Sequence, residues 1–234
     1  MDERALALKV PASLDEARAI QEAVARAVDA APALSFDRVR SIAGADASYS
    51  PDGRLVHAAV AVHGLPDLNV LEQCWVSHEV GFPYLPGYFA FREGPAIISA
   101  VAGLGRRPDL LLVDGHGRAH PRRAGIASHV GYVLGIPTVG VAKRILSGNV
   151  AEFGPARGSR YTMMDRGEVI GMAVRTKAGS RPVFVSPGYA MDLENSVAAV
   201  LSTTPGSRIP APIREAHRIS REVRMTHITS LITR

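Results

Sequence analysis

The chain has 234 residues and a mass of 24.9 kDa, which fits one large domain, so we predict a single domain over residues 1–234. Hydrophobic residues make up 47% of the chain and charged residues 21%, which excludes a disordered chain, a collagen-like repeat and a coiled coil. The net charge of +5 at pH 7 is compatible with an anionic partner but does not establish one.

Cysteine content and apolar runs bear on the location of the protein. The single cysteine, Cys74, excludes an internal disulfide and a multi-cysteine zinc site, so we expect a reducing, cytoplasmic location. Residues 1–9 carry both acids and bases and no apolar run follows them, so we predict no signal peptide. The longest uncharged run, residues 124–142, contains glycines, a proline and His129, which favours a helix and a buried strand over a membrane span.

The first predicted elements are a helix and a three-stranded meander. Ser13 is a typical N-cap with Glu16 at the capping-box position, and apolar residues fall on one face over residues 14–30. Strand-like stretches cover residues 39–49, 55–64 and 70–79, and a Ser-Pro-Asp-Gly turn joins the first two. These short connections predict an antiparallel meander.

Helices and strands alternate in the following part of the chain. Residues 81–91 are irregular, and a helix over 93–104 has Pro95 in its first turn. A short apolar strand over 109–113, a helix over about 126–134 and a second buried strand over 138–142 follow. A strand pair at 168–175 and 182–185 and helices at 191–201 and 213–223 complete a mixed α/β fold.

Three acidic residues stand where an apolar core is expected. Asp46 lies within an otherwise apolar strand, and a buried carboxylate without a partner costs several kcal/mol. Asp114 ends the strand at 109–113, at the edge where open α/β sheets bind ligands, and Glu93 opens the helix after the meander. Each has an ordinary alternative: a solvent-facing edge strand, a loop-capping aspartate and a favourable contact with the helix dipole.

Taken together, the three carboxylates have the layout of a divalent-metal nuclease on a ribonuclease H-like mixed sheet. In that sheet a three-strand antiparallel meander is joined by parallel strands, and strands one and four are neighbours, which brings Asp46 beside Asp114. Clustered carboxylates repel one another unless a cation lies between them, and oxygen ligands favour Mg²⁺ or Mn²⁺ over zinc. Such an ion activates water and stabilises charge on a phosphodiester.

A series of longer motifs extends this interpretation. They are IAGADASY at residues 42–49, PYLP at 83–86, FREGP at 91–95, VDGHG at 113–117, AHPRR at 119–123, GIASHVG at 125–131 and PTVGVAK at 137–143, with the weaker VSPG at 185–188 and REAH at 214–217. With these motifs in this order, the chain resembles the endonuclease V family from about residue 42 to residue 217.

The resemblance implies an endonuclease that recognises deoxyinosine in DNA and hydrolyses the second phosphodiester bond 3′ to it, leaving 3′-hydroxyl and 5′-phosphate ends, as a step of DNA repair. It implies Mg²⁺, with Mn²⁺ as a substitute. It places Lys143 at the reacting phosphate or the attacking water. On sequence alone, Lys143 is an ordinary solvated lysine, and His217 is an ordinary surface or core histidine. The implied metal-site residues are Asp46, Glu93, Asp114 and His217.

The resemblance also implies residues that contact DNA. Pro83, Tyr84, Leu85 and Pro86 form a wedge that separates the strands, with Tyr84 at its tip; a core-facing turn is the alternative. A basic cluster suits backbone phosphates, although a charge run is also typical of a solvated face; it comprises His120, Arg122 and Arg123. The pocket for the flipped-out base is formed by Gly87, Gly115, Gly125 and Ile126.

The expected partner is inosine-containing DNA, double- or single-stranded, with no membrane, and we expect a monomer. Three other functions stay open. The first is an enzyme of the same chemistry whose main substrate is inosine-containing RNA, since nothing in the sequence reads the sugar 2′-hydroxyl decisively. The others are a non-catalytic binder of damaged nucleic acid, which the three carboxylates argue against, and a hydrolase of small phosphate compounds, which leaves the wedge and the basic cluster unexplained.

Overall fold

A mixed eight-stranded sheet with helices on both faces forms the centre of the protein. A computed structural model describes residues 4, 7, 9–150 and 154–232. The strands are β1 (Ser41–Tyr49), β2 (Leu55–Gly64), β3 (Val70–Glu79), β4 (Leu110–Val113), β5 (Thr138–Ala142), β6 (Arg160–Asp165), β7 (Glu168–Val174) and β8 (Val183–Pro187). The helices are α1 (Leu14–Ala30), α2 (Phe89–Ala102), α3 (Ile126–Leu134), α4 (Leu193–Ser202) and α5 (Ala211–Ile232), and a single 3₁₀ turn covers Phe36–Arg38.

The strand order is β3-β2-β1-β4-β5-β8-β7-β6. Strands β1, β2 and β3 form an antiparallel meander, and β4 and β5 add to β1 in parallel. Strands β8, β7 and β6 then continue the sheet with antiparallel pairing. The predicted mixed sheet, with its meander and with strand four beside strand one, is confirmed.

Alternating residues of the central strands divide the core into two layers. In β1, Ala43 and Ala45 face helices α2 and α3, whereas Ile42 faces α4 and α5. Helix α5 approaches β1 closely at Gly44, where a Cβ atom would lie 2.1 Å from the carbonyl carbon of Pro212. Because any other residue at this position would push α5 away, Gly44 fixes the distance between that helix and the strand that carries Asp46.

Periodicity and capping predicted several elements with their observed bounds. Helix α1 begins after Ser13, whose hydroxyl accepts a hydrogen bond from the Glu16 amide, and strands β2, β3 and β5 and helix α3 also match. Residues 124–142 fold as α3 followed by β5, as predicted. Among the described residues, no helix is long and apolar enough to span a membrane.

Three predictions need correction. Helix α2 starts at Phe89, so Pro95 lies in its interior and Glu93 in its second turn, because Phe91 packs with Phe82 and Tyr88 and this aromatic contact draws the preceding residues into the helix. Strand β6 was missed because it is the outer strand of the sheet and only one of its side chains is fully buried. Helix α5 extends well beyond the predicted end at residue 223.

Candidate active site

Asp46 is buried in the middle of β1 and faces α5. Its carboxylate Oδ2 lies 2.9 Å from Nδ1 of His217 and accepts a hydrogen bond of 3.2 Å from the Ser220 hydroxyl. The alternative of a solvent-facing edge position is wrong, because β1 is flanked by β2 and β4 and Asp46 is 7% exposed. Helix α5 therefore supplies the polar partners that a buried carboxylate requires.

Asp114 and Lys143 meet at the carboxyl ends of the parallel strands β4 and β5. The Asp114 amide donates to the carbonyl of Ala45 at 3.0 Å, which places Asp114 at the level of Asp46 on the neighbouring strand. The Lys143 ammonium forms an ion pair with Asp114 Oδ2. The sequence prediction that Asp46 lies beside Asp114 agrees with this geometry, and the chemical roles of Asp46, Asp114 and Lys143 remain a prediction.

Glu93 reaches the same region from α2. It accepts a hydrogen bond of 2.8 Å from the hydroxyl of Tyr49, at the end of β1. Burial raises the pKa of Glu93 to about 7, and the charges of Asp46 and Asp114 act in the same direction. Burial likewise raises the pKa of Asp46 to about 6, with a further contribution from Asp114. These carboxylates are thus close enough to disfavour one another's ionised forms.

The donor chemistry of this cluster fits a hard divalent cation. Among the residues that the structure describes, no three acidic, histidine or cysteine side chains have ligand atoms arranged around one point, and Asp114 is paired with Lys143. The carboxylate oxygens of Asp46, Glu93 and Asp114 are nevertheless the ligands that Mg²⁺ and Mn²⁺ favour. A cation among them would offset the repulsion that raises the pKa values of Asp46 and Glu93.

A cavity of about 350 Å³ opens beside these carboxylates. Its wall includes Glu93, Asp114 and Lys143 together with all four predicted pocket residues, Gly87, Gly115, Gly125 and Ile126. A side chain at Gly125 is excluded, because a Cβ atom there would lie 2.2 Å from the carbonyl oxygen of His116. The wall of the cavity is therefore partly bare backbone, whose polar groups a flat ligand can approach closely.

The segment from Pro83 to Pro86 lies beside this cavity with its aromatic ring in solvent. Tyr84 is 65% exposed and packs edge-on against Phe89, a residue of the cavity wall, at 5.3 Å between ring centroids. Leu85 is half-buried against the aromatic cluster of Phe82, Tyr88 and Phe91. The core-facing alternative thus holds for Leu85, whereas Tyr84 is free to contact a ligand.

The predicted basic cluster of His120, Arg122 and Arg123 is not a solvated face. His120 is 2% exposed, and burial lowers its pKa to about 4, so it is uncharged at neutral pH. Arg123 pairs with Asp165 and Glu168. Arg122 stacks its guanidinium on Tyr88, 4.4 Å from the ring centroid. The polar groups of these residues are thus engaged within the protein, and their contacts with DNA phosphates remain a prediction.

Three polar side chains, two of them from this cluster, converge on the carbonyl oxygen of Gly87. It lies 2.9 Å from Nε2 of Gln21, 2.9 Å from Nε2 of His120 and 3.0 Å from Nη2 of Arg122. Gln21, on α1, also accepts a hydrogen bond of 2.6 Å from Arg122 Nε. We call this set the Gly87 brace. Sequence reasoning missed Gln21, whose only signal was a polar residue next to the buried face of an amphipathic helix.

Comparison with known proteins shows which family the chain belongs to. The family model described as Endonuclease V matches residues 22–218. The chain belongs to the endonuclease V family. The resemblance predicted from the motifs is thereby confirmed. Endonuclease V of Gloeobacter violaceus is 48% identical over 189 residues, which cover 80% of this chain and 77% of that protein.

Solved endonuclease V structures share the fold of this chain. The crystal structure of endonuclease V from Streptomyces avermitilis has a TM-score of 0.86 and 37% identity, covering 94% of this chain and 96% of that one. Endonuclease V of Ciona intestinalis was solved in complex with a 24mer DNA containing an inosine followed by a ribo-adenosine; it has a TM-score of 0.78 and 25% identity, covering 92% of this chain and 98% of that one.

Proposed function

We propose that this endonuclease V family member is a divalent-metal-dependent enzyme that recognises deoxyinosine in DNA and hydrolyses the second phosphodiester bond 3′ to it, leaving 3′-hydroxyl and 5′-phosphate ends. One observation carries the proposal: the carboxylates of Asp46, Glu93 and Asp114 stand beside a cavity of about 350 Å³, within the size range of small-ligand sites. A base flipped out of a DNA strand is the ligand that joins these two features.

The chain's own residues supply positioning and charge. Asp46, Glu93 and Asp114, with His217, would hold a Mg²⁺ or Mn²⁺ ion, which when bound supplies Lewis acidity toward water and toward the phosphodiester oxygens. The Lys143 ammonium, beside Asp114, offsets negative charge that develops on the phosphate. Nδ1 of His217 lies 2.9 Å from Asp46 Oδ2, which leaves Nε2 as the ring nitrogen that can contact a metal ion or a water molecule.

Tyr84 and the cavity have different roles in recognition: Tyr84 separates the bases and the cavity receives the displaced base. The exposed Tyr84 ring contacts Phe89 at the cavity wall, so a ring inserted between bases lies next to the place where a displaced base is received. The glycines of the cavity allow backbone amides and carbonyls to approach the edge of hypoxanthine. This arrangement supports recognition of a base that has left the stack, in double- or single-stranded DNA.

The proposal is tested with an end-labelled duplex that carries one deoxyinosine, incubated with the protein and Mg²⁺. We expect a single nick at the second bond 3′ to the inosine, absent in EDTA and absent with Asp46→Asn, which removes the charge at constant shape. Asp52→Asn is the matched control, because Asp52 lies in the exposed turn after β1. Binding without nicking in both Mg²⁺ and Mn²⁺ would instead identify a non-catalytic binder.

Matched deoxyribose and ribose oligonucleotides decide the sugar preference. We expect the deoxyinosine strand to be cut faster than its inosine RNA counterpart under the same conditions. Cleavage confined to RNA would reject DNA as the main substrate, while leaving the assignment of the three carboxylates in place if Asp46→Asn abolished that cleavage too.

A further inference from the structure

A second groove adjoins the candidate active site. It has a volume of about 470 Å³ and lies between the residues that follow β5 and the loop that precedes β8. Lys143 and Arg144 line both this groove and the cavity beside the carboxylates. The two depressions are therefore adjacent, and a chain-like ligand that reaches Lys143 in one lies next to the other.

Within the part of the chain that the structure describes, the ionisable side chains that line this groove are all basic. They are Lys143, Arg144, Arg175 and Arg181. Arg175 is 9% exposed and donates to the carbonyl oxygens of Gly154 and Ser180, so it shapes the loop. Arg144 and Arg181 are exposed, and no acidic residue is among the described residues that line the groove. Their charges face solvent on an open surface, where a phosphate backbone can reach them.

Arg208 increases the positive charge behind the groove. Its guanidinium donates to the carbonyl oxygens of Arg181 and Pro182, both at 2.9 Å, and to that of Lys143 at 3.3 Å. It thereby ties the two walls of the groove together. Burial and the neighbouring Arg181 guanidinium both lower the pKa of Arg208, whereas the charge of Asp114 raises it; the like charges of Arg208 and Arg181 repel one another. An anion bound at Arg181 relieves this repulsion.

We infer that the groove formed by Arg144 and Arg181 binds the sugar-phosphate backbone of the nucleic acid strand that flanks the scissile phosphate. The identity of the ligand rests on the proposed function. Ile145, 43% exposed at the edge of the groove, offers an apolar surface for a sugar or base. Two exposed guanidiniums along an open groove suit successive phosphates of a polymer, and contacts of this kind position a substrate without reading its sequence.

Binding of fluorescent deoxyinosine oligonucleotides in EDTA tests the inference independently of cleavage. We expect Arg181→Glu to weaken binding about tenfold at moderate salt, and Arg181→Ala to reduce the slope of log K against log salt by about one. Arg106→Glu is the matched control: Arg106 is also exposed, but it precedes β4 whereas Asp114 follows it. We expect this control to change binding less than twofold. Equal effects of Arg181→Glu and Arg106→Glu would overturn the inference.

Shortening the oligonucleotide on one side of the inosine at a time locates the contact. We expect the penalty of Arg181→Glu to disappear when the flank on one side is removed and to persist when the other is removed. A penalty that is the same for every truncation would mean a diffuse charge effect and would also overturn the inference.

The two proposals fail in different ways. A wild-type protein that nicks deoxyinosine DNA, with an Arg181→Glu variant indistinguishable from the Arg106→Glu control, overturns the groove alone. A wild-type protein that binds but never nicks overturns the proposed activity, while the salt and truncation experiments still decide the groove.

Discussion

Replacing Gln21 by methionine removes the hydrogen bonds that link α1 to the Gly87 brace. Gln21 is fully buried, donates to the carbonyl oxygen of Gly87 at 2.9 Å and accepts from Arg122 Nε at 2.6 Å. Methionine is unbranched and of similar length, so Gln21→Met changes hydrogen bonding far more than volume. The partly buried Arg122 Nε then loses its acceptor, and the Gly87 carbonyl loses one of three partners.

The size of the effect follows from these two bonds. An amide-to-carbonyl hydrogen bond contributes about 1 kcal/mol, and one with a charged donor about 1.5–3 kcal/mol. We therefore expect Gln21→Met to lower the free energy of unfolding by about 3 kcal/mol. For a chain of this length each kcal/mol shifts the Tm by about 2–4 °C, so the Tm should fall by about 6–12 °C.

The brace also predicts a specific defect in activity. Gly87 directly follows the segment that carries Tyr84 and lines the cavity, so loosening it should impair strand separation more than chemistry. We expect the nicking rate of Gln21→Met on duplex deoxyinosine DNA to fall about tenfold, which is 1.4 kcal/mol of transition-state stabilisation. The rate on a single strand should fall much less, because no partner strand has to be displaced.

Two variants control this experiment. Gln21→Glu keeps an acceptor for Arg122 but has no donor for Gly87, so we expect a duplex-specific defect with a smaller loss of stability. Gln73→Met removes an exposed hydrogen bond to Glu215 and should change stability by less than about 1 kcal/mol. Equal losses of stability for Gln21→Met and Gln73→Met, or equal nicking defects on duplex and single-stranded substrates, would refute the reasoning.

Three further predictions concern the cleft. Tyr84→Ala should reduce nicking of duplex DNA about tenfold or more and of single strands much less, since stacking on an aromatic side chain is worth about 1–3 kcal/mol per base; gel assays with both substrates check it. Gly44→Ala should displace α5 from β1, because its Cβ would lie 2.1 Å from a backbone atom, and circular dichroism melting should show a lower Tm. The pKa values of Asp46 and Glu93 are raised to about 6 and about 7, so the folded state holds these protons more tightly than the unfolded state. The stability that the two protonated groups contribute is therefore lost as the pH rises from about 4 to about 7 in metal-free protein. Mg²⁺ should therefore raise the Tm more at pH 8 than at pH 5, and equal shifts in calorimetry would contradict the carboxylate site.

The elements that the sequence predicted well are those whose signal is local. Ser13, with its cap and the amphipathic pattern after it, determines where α1 begins, and the alternation of short apolar runs determines the central strands. Strand β6 has no such signal because most of its side chains are exposed. Helix α2 begins earlier than predicted, at Phe89, because Phe91 packs with Phe82 and Tyr88, a contact that a helical periodicity count does not include.

The site was predictable in its carboxylates and unpredictable in its supporting contacts. Asp46 drew attention because an acid in an apolar strand is costly, whereas its partner His217 lies 171 residues away and was found only through the family motifs. The intramolecular partners of the basic cluster were missed for the same reason. Arg122 is satisfied by Gln21 and Arg123 by Asp165, and partners so distant in sequence are invisible until the chain is folded.

We expect the basic residues of the cleft to bind the substrate and the acidic residues to support its cleavage. Asp46, Glu93 and Asp114 repel a phosphodiester as long as their charge is not offset, so they contribute little to affinity by themselves. Arg144 and Arg181 line a groove that has no acidic side chain among its described residues. We expect them to attract the same polymer through contacts that need no metal ion. Affinity in EDTA should therefore depend on the groove, and nicking on the carboxylates. Because Lys143 lines both depressions and pairs with Asp114, we expect a strand held in the groove to enter the reactive part of the cleft at this residue.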